Sequence, residues 1–356
     1  MTRNAHSFTS QERREADAAR KRRNRAMETL HKFALKFSED TDLPTESPEM
    51  CCSNGKVVLM EPTIPPLLYH LFTSQDDIAK NFHDKIRFYN SAFTFASVGI
   101  RFDRELTNAK NGIYTFCVQG SFYHRIGSLL PEARSNPHYL QMYIYDTQHE
   151  LHHRTNAIPN SNLNPAIVED IKAILDEVNP YSINFRYISN FPEEDIKNLS
   201  MLIHTNIPGL DQRTHNVPTA PQVAAIWIND DVPPGAIQKR DILLRTRINQ
   251  LIHISKFSGC YDPLAYPLLF PHGEQGWIPQ QIPYRNVPLP KTININEYPN
   301  SRDSDDLIYE NSNTSTTRHR KFVSAMEYYA YRIQIRLRST NILLHAGRLF
   351  QQYVVD

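Results

Sequence analysis

Cysteine is scarce in this chain, whose 356 residues include only four: Cys51, Cys52, Cys117 and Cys260. So few cysteines, two of them adjacent, do not make the disulfide framework of a small secreted protein. The N-terminus lacks a secretory signal, and no stretch approaches the roughly 20 apolar residues that are needed to cross a bilayer. We therefore expect an intracellular protein of a reducing compartment, with no membrane partner.

A large net charge is also absent, since 39 Lys and Arg balance 38 Asp and Glu. This balance argues against a protein that coats nucleic acid with its whole surface, so any DNA contact must come from local basic clusters. One cluster lies in residues 1–30, which hold eight Lys and Arg against four acids. It could be a nuclear-import signal, contact DNA phosphates or form a solvated helix face. Its candidate residues are Arg20, Lys21, Arg22, Arg23 and Arg25.

One stretch matches a catalytic pattern. HELHH, residues 149–153, fits the H-E-x-x-H signature of zinc peptidases. In those enzymes one helix face presents two histidine ligands, here His149 and His153, and a glutamate, here Glu150, acts as general base beside the metal-bound water. The stretch therefore raises the hypothesis of a zinc peptidase.

The surroundings of this stretch favour a different interpretation. A third ligand could come from Glu169 or Asp170. A metal-bearing helix must also pack into the core, whereas residues 146–157 offer only Leu151 as an apolar contact. We therefore favour a solvated polar loop, or one short turn of helix, over a peptidase.

The rest of the pattern mixes helices and strands. Residues 164–179 have the apolar spacing of an amphipathic helix, and 222–230 form a β-branched, aromatic run that predicts a strand. We also expect a buried strand over 139–146, a glycine-centred hairpin within 112–127 and two strands within 240–255. Because the regular strand–helix alternation of a parallel sheet is missing, we expect an α+β fold, a mixed body of short strands and helices.

Signals near the C-terminus are sharper. Residues 291–322 are polar and acidic, which predicts a flexible linker. Ser324 and Glu327 then form a capping box, so a helix should begin near Ala325. A second helical pattern runs to Asp356 without a C-cap glycine or a proline. We expect a truncated helical pair that leaves an apolar face uncovered.

Several stretches resemble, in the same order, landmarks of one protein family, the Helitron transposon proteins. Those proteins join a rolling-circle replication initiator to a Pif-type DNA helicase. The stretches are CCSNGKV at 51–57, GSFYHRIGSLLP at 120–131, YDPLAYPLLFPHGEQGW at 261–277, EYYAYRIQIRL at 327–337 and LLHAGRLFQQYVVD at 343–356.

The resemblance implies that the family's chemistry lies downstream of this chain. The family's nuclease site needs a His-apolar-His metal pair with nucleophilic tyrosines, and no two histidines here are spaced in that way. A G-x-x-x-x-G-K-[ST] phosphate loop is also missing, because Gly55-Lys56 is followed by Val57. We therefore expect no nuclease site, no ATPase site and no cofactor in this chain, and ATP and a divalent metal only in the missing domains.

The resemblance also implies partners and a domain order. We expect DNA as partner, single-stranded or bound without sequence preference, together with the downstream Rep-type and helicase domains, in the nucleus. The predicted divisions are a basic, largely disordered tail (1–50), a zinc-module remnant plus helix (51–110), an α+β body (111–290), the linker (291–322) and the incomplete first helices of a Helitron helicase-like domain (323–356).

A second basic stretch, residues 318–348, holds seven Lys and Arg against the single Glu327 and offers candidates for contact with the DNA backbone: Arg332, Arg336 and Arg338. On a helix that begins near Ala325, Arg332 and Arg336 would lie one turn apart on one face. There they could meet phosphates, remain solvated or form an internal salt bridge.

Half of a metal site is present. The family's zinc module has a C-x-x-C pair ahead of the CC-x-x-GKV element, but residues 1–50 contain no cysteine. Cys51 and Cys52 are therefore a remnant, which His31 or His70 could complete to a tetrahedral site. Otherwise the two cysteines lie at the edge of the core.

Other residues of reactive types receive a structural interpretation. Without an adjacent metal site, Tyr328, Tyr329 and Tyr331 are interpreted as core and interface aromatics rather than nucleophiles. Cys117 and Cys260, which have apolar neighbours in the sequence, are interpreted as buried packing residues rather than metal ligands. His124 and His272 are interpreted as structural rather than catalytic histidines. Two functions remain open: a DNA-handling accessory region, or an orphaned transposon fragment that is inert or binds protein.

Overall fold

The computed structural model describes the backbone of 98, 101–102 and 118–119 and, in full, residues 52–97, 123–132, 135–145, 148–158, 161–207, 209–215, 217–228, 241–245, 251–288, 321–334 and 341–356. Within these ranges the fold is α+β, as predicted, with thirteen helices and eight short strands. The basic tail and most of the predicted linker lie outside the described residues. None of the helices described here is long and apolar enough to span a membrane.

The helices are short and are numbered in chain order. They are α1 Pro66–Thr73, α2 Asp77–Asp84, α3 Ile86–Phe93, α4 Gln141–Ile144, α5 Glu150–Thr155, α6 Pro165–Val178, α7 Pro180–Ser189, α8 Glu193–Ile196, α9 Ala220–Val223, α10 Tyr261–Ala265, α11 Ala325–Arg332, α12 Ile342–His345 and α13 Gly347–Val355. The strands are β1 Ser97–Val98, β2 Arg101–Phe102, β3 Val118–Gln119, β4 His124–Ile126, β5 Leu199–Ile203, β6 Ala224–Ile228, β7 Ile242–Arg245 and β8 Ile252–Ile254.

One three-stranded sheet has the order β6-β5-β7 and is antiparallel throughout. Its central strand β5 is buried along its whole length. Leu199, Met201 and Ile203 alternate along β5 and share a core with Tyr181 and Phe185 of α7. The strand predicted over 222–230 is confirmed as β6.

A second three-stranded sheet has the order β1-β4-β8 and is also antiparallel. His124, Ile126 and Ile254 point into the core. Arg125 and His253 point to the opposite side, as the two-residue period of a strand requires. The two strands expected within 240–255 are present as β7 and β8, but they belong to different sheets.

The hairpin expected within 112–127 is wrong in its pairing. β3 pairs with β2 and β4 pairs with β1, so both strands pair with the segment 97–102 rather than with each other. Alternation of apolar and polar residues identifies the face that a strand buries, but it does not identify the strand's neighbour.

The helix predicted over 164–179 is confirmed as α6. Asn164 caps it by accepting a hydrogen bond from the amide of Ala166 at 3.0 Å, and Pro165 fills the first turn, where no N–H is needed. Its apolar face enters a helical core that also contains residues of α1, α2, α3, α10, α12 and α13.

The buried strand expected over 139–146 is wrong, because this stretch forms the single helical turn α4. The Nε2 of Gln141 donates hydrogen bonds to the carbonyl oxygens of Leu130 and Ser128 at 3.0 and 3.1 Å, which fixes the turn. The turn buries Met142, Tyr143 and Ile144. A short apolar run that is buried on all sides looks the same in sequence whether it is strand or helix.

The capping box at the C-terminal end is confirmed, and α11 begins at Ala325. The amide of Ser324 donates to Glu327 Oε2 at 2.9 Å, and the amide of Glu327 donates to Ser324 Oγ at 3.3 Å. The second predicted helix is divided into α12 and α13 before Gly347, whose φ is 49°. Tyr353 of α13 is buried, whereas Val354 on the same helix is 56% exposed.

Candidate functional site

The HELHH stretch forms the short helix α5, preceded by His149 at the N-cap position. The alternative of one short turn of helix is confirmed, but the stretch is not wholly solvated, because the side chains of Glu150 and Arg154 are both fully buried. A pair of opposite charges four residues apart takes the place of the missing apolar stripe on the buried side of α5. Their burial was not predicted, because hydrophobicity alone does not reveal that two charged residues will be buried as a pair.

Both carboxylate oxygens of Glu150 accept short hydrogen bonds from guanidinium groups. Oε1 accepts from Arg154 Nε and from Arg186 Nη2, each at 2.6 Å. Oε2 accepts from Arg186 Nη1 at 2.6 Å and lies 3.9 Å from Lys172 Nζ. Such bidentate, charge-assisted contacts are among the strongest hydrogen bonds in proteins.

The two arginines extend this network into the surrounding core. The guanidinium of Arg154 lies 4.1 Å from the ring centroid of Tyr143, and its Nη1 donates to the carbonyl oxygen of Ala92. Arg186 Nε donates to Asp176 at 2.8 Å. Burial raises the pKa of Asp176, but the charge and hydrogen bond of Arg186 lower it more strongly, so the net shift is downward.

This geometry does not fit a zinc peptidase. A general base must reach a metal-bound water, and the two oxygens of Glu150 are instead enclosed by guanidinium groups. His149 is exposed, as are the proposed third ligands Glu169 and Asp170 on α6. In the part of the chain that the structure describes, no three His, Cys, Asp or Glu side chains are grouped so that they could hold a metal ion.

The proposed zinc remnant is described only in part. Cys52 is half-buried, and its Sγ accepts a hydrogen bond from the amide of Gly55 at 3.2 Å in a tight turn. His70 contacts a carboxylate oxygen of Asp76 at 2.7 Å. Cys51 and His31 lie outside the described residues, so a site completed by them stays a prediction.

Arg332 is not a surface residue, and its expected contact with DNA phosphates is wrong. Its side chain lies in the core beside the ring of Tyr328, 5.3 Å from the ring centroid, and its Nη1 donates to the carbonyl oxygen of Met60 at 3.3 Å. Helix α11 ends at Arg332. Arg336 and Arg338 lie outside the described residues.

The structural interpretation of the tyrosines is confirmed. Tyr328 is fully buried and its hydroxyl donates to the carbonyl oxygen of Gln275 at 3.1 Å. The ring of Tyr329 stacks edge-on against that of Tyr328, and the hydroxyl of Tyr331 donates to the carbonyl oxygen of Leu59 at 3.3 Å. Cys260 and His124 are also buried, as predicted, whereas Cys117 lies outside the described residues.

A buried cluster that sequence reasoning missed surrounds Asp356. Its carboxylate contacts His124 Nε2 at 2.8 Å and accepts hydrogen bonds from the hydroxyls of Tyr266, at 2.7 Å, and Tyr261. Asp262 lies nearby, 3.4 Å from the hydroxyl of Tyr353. The segment 261–277 is largely apolar and contains a single aspartate, so the sequence did not indicate this network.

Two acidic side chains of this region have raised pKa values. Burial, and then the charge of Asp356, raise the pKa of Asp262 to about 7. Burial also raises the pKa of Glu274 to about 7, although Glu274 accepts a hydrogen bond from the amide of His272 at 3.0 Å. His272 itself is half-buried, and burial lowers its pKa. Asp262 and Glu274 are enclosed in the core, so we interpret them as structural.

Basic and aromatic side chains meet on the outer side of the sheet β1-β4-β8. The guanidinium of Arg125 lies 4.7 Å from the ring centroid of Tyr123, and its Nε donates to His253 Nε2 at 3.0 Å. The rings of Tyr123 and His253 are 5.1 Å apart. This surface was not predicted, because its residues come from two strands that are distant in sequence.

Comparison with known proteins adds no identification. No protein-family model matches the chain, and no curated protein matches it.

Proposed function

We propose that this chain is the N-terminal accessory region of a Helitron-like transposase and DNA helicase. It helps to bind and position DNA during rolling-circle transposition in the nucleus, and it has no nuclease or ATPase site of its own. Strand cleavage and ATP hydrolysis, with their divalent metal, belong to the Rep-type and helicase domains of the parent proteins. Those domains are its second class of partner.

The observation that carries this proposal is the ordered series of family landmarks and the way in which they pack. Segment 261–277 contacts both C-terminal landmarks: the hydroxyl of Tyr328 donates to Gln275, and that of Tyr353 lies 3.4 Å from Asp262. Segments that share a core fold as one unit, so these three stretches belong to one packed body.

The proposed DNA contacts are electrostatic and independent of sequence. Arg332 is removed from the candidates because it is buried, while the dense cluster Arg20–Arg25 remains a candidate from the sequence. Arg125 adds a cation on the outer side of a sheet. Contacts of this kind bind phosphates through counterion release, so the affinity should fall steeply with salt.

The test is a titration of labelled DNA with the full 356-residue chain. We expect binding to single strands of two unrelated sequences with similar affinity, and weaker binding at higher salt. A preference for one sequence that survives high salt, or no binding at low salt, would refute the proposal.

A second candidate, a protein-binding fragment, is favoured by one observation. Met326, Val354 and Val355 are exposed apolar residues on α11 and α13, with Met326 78% exposed. Exposed apolar side chains that cluster can mark a protein-binding surface. The same titration discriminates, since this candidate predicts no DNA binding.

A further inference from the structure

The geometry points to a single-stranded nucleic-acid site on the outer side of the sheet β1-β4-β8, with Tyr123, Arg125 and His253 at its centre. We call this surface the β4–β8 face. The inference rests on the proposed function and deepens it, because it names the surface and the form of the ligand.

The central residues are held in place by the register of the strands. Arg125 on β4 lies directly opposite His253 on β8, and Ser97 on β1 lies opposite Arg125 on the other side. The hydroxyl of Ser97 donates to the carbonyl oxygen of Arg125 at 3.0 Å. The hydrogen bond from Arg125 Nε to His253 Nε2 then fixes one edge of the guanidinium and leaves its Nη groups to other contacts.

The described residues of this face carry a net positive charge. Among them no carboxylate lies within ion-pair distance of Arg125, in contrast to Arg154 and Arg213, which each contact one, and Arg186, which contacts two. The flanking segment 123–131 has no acidic residue, and neither does 251–260. An unneutralised cation between aromatic rings attracts a phosphate group.

A second cation–ring pair lies in the turn that follows β8. The ammonium of Lys256 lies 5.6 Å from the ring centroid of Phe257, and the ring of Phe257 stacks edge-on against that of Trp277 at 5.9 Å. Phe257 lies four positions after His253, in a turn that is closed by the hydrogen bond from the amide of Ser258 to the carbonyl oxygen of Ser255 at 2.9 Å.

Alternating cations and rings suit a single strand better than a duplex or a peptide. Bases stack on aromatic side chains only when their faces are free, whereas a duplex buries those faces. An acidic peptide would use Arg125 and Lys256 but would gain little from the rings. The same chemistry would accept single-stranded RNA, because the 2′-hydroxyl is the group that distinguishes RNA from DNA.

The test compares variants of the full chain in titrations of a labelled oligothymidine of about 20 nucleotides, longer than the site of a compact single-strand-binding fold. We expect Tyr123→Ala and Arg125→Ala each to weaken binding about tenfold, and Tyr123→Phe, which keeps the ring, to bind like the wild type. The matched controls are Tyr187→Ala and Lys80→Ala, an exposed ring on α7 and an exposed cation on α2, which should leave the affinity unchanged.

The outcomes separate this inference from the proposed function. If the wild type binds DNA but the β4–β8 variants bind as tightly as the controls, the face is not the site and the proposed function survives. If the wild type binds no DNA, both fall. Tighter binding to duplex than to oligothymidine, or full competition by an acidic peptide, would also overturn the single-strand assignment. Tyr123→Phe is the control for misfolding. If both Tyr123 variants lose binding while their thermal unfolding stays normal, the stacking role is contradicted.

Discussion

Arg154 Nε donates a hydrogen bond to Glu150 Oε1 at 2.6 Å, and neither side chain is exposed to solvent. Through this pair, a stretch that matches the zinc-peptidase signature instead connects α5 with α6 and α7. Because two arginines bind the glutamate, it has a structural role in place of the general-base role that the motif predicts. A sequence signature is therefore informative only when its glutamate can reach a metal-bound water.

Breaking this pair should destabilise the fold strongly. Arg154→Met removes one partner of a buried ion pair and leaves the carboxylate less compensated, so we expect a loss of about 3–5 kcal/mol in the free energy of unfolding. Denaturant titration measures this loss. The double variant Glu150→Gln, Arg154→Met should lose less than the sum of the single variants, because the two residues act as a unit.

The exposed histidine of the same motif tests the peptidase hypothesis. His149→Ala should leave the zinc content of the purified chain unchanged. One bound zinc that disappears in His149→Ala would contradict the structural interpretation of HELHH.

The capping box of α11 should make a measurable contribution to stability. Ser324→Ala leaves the amide of Glu327 without its acceptor, and we expect a loss of about 1 kcal/mol in the free energy of unfolding. Ser135→Ala is the control, because that hydroxyl is exposed and bonds only a nearby carbonyl oxygen in a turn. Equal stability of Ser324→Ala and the wild type would show that the box contributes nothing.

The buried acids should make stability fall as the pH rises. Burial raises the pKa of Asp262 from 3.8 to about 7, so between these values the unfolded chain has released a proton that the folded protein keeps. The folded state binds more protons in this window, and its stability is therefore lost as pH increases through it. Glu274 adds to the same effect.

Denaturant titrations at about pH 5 and about pH 8 measure this dependence, and Asp262→Asn should reduce it because the amide does not titrate. Asp211→Asn is the control. Burial raises the pKa of Asp211, but Arg213 lowers it more, so its titration lies below this window. An unchanged pH dependence in Asp262→Asn would show that Asp262 is not protonated in the folded protein near neutral pH.

The sequence predicted those helices that are stabilised by residues close to them in the chain. The helix α6 is marked by its regular apolar face, and the start of α11 by Ser324 and Glu327. These devices act within one or two turns, so neighbouring residues are enough to identify them. The α+β class followed from the same elements.

Contacts between distant segments could not be predicted in the same way. The burial of Glu150 depends on Arg186, which is 36 residues away, and the β4–β8 face depends on a pairing between Arg125 and His253. Arg332 was misplaced for a related reason, because a helical period gives the angle between side chains but not the side that faces the core. Each of these errors concerns a tertiary partner rather than a local conformation.

The most direct test of the DNA-binding role is the salt dependence of affinity for oligothymidine, measured with the full chain and with Arg125→Ala. We predict that the logarithm of the wild-type association constant falls linearly with the logarithm of salt concentration. The slope should be shallower in Arg125→Ala by about 0.7, the value for one phosphate contact on a single strand. A wild-type affinity that does not change with salt, or no binding at low salt, would contradict the account.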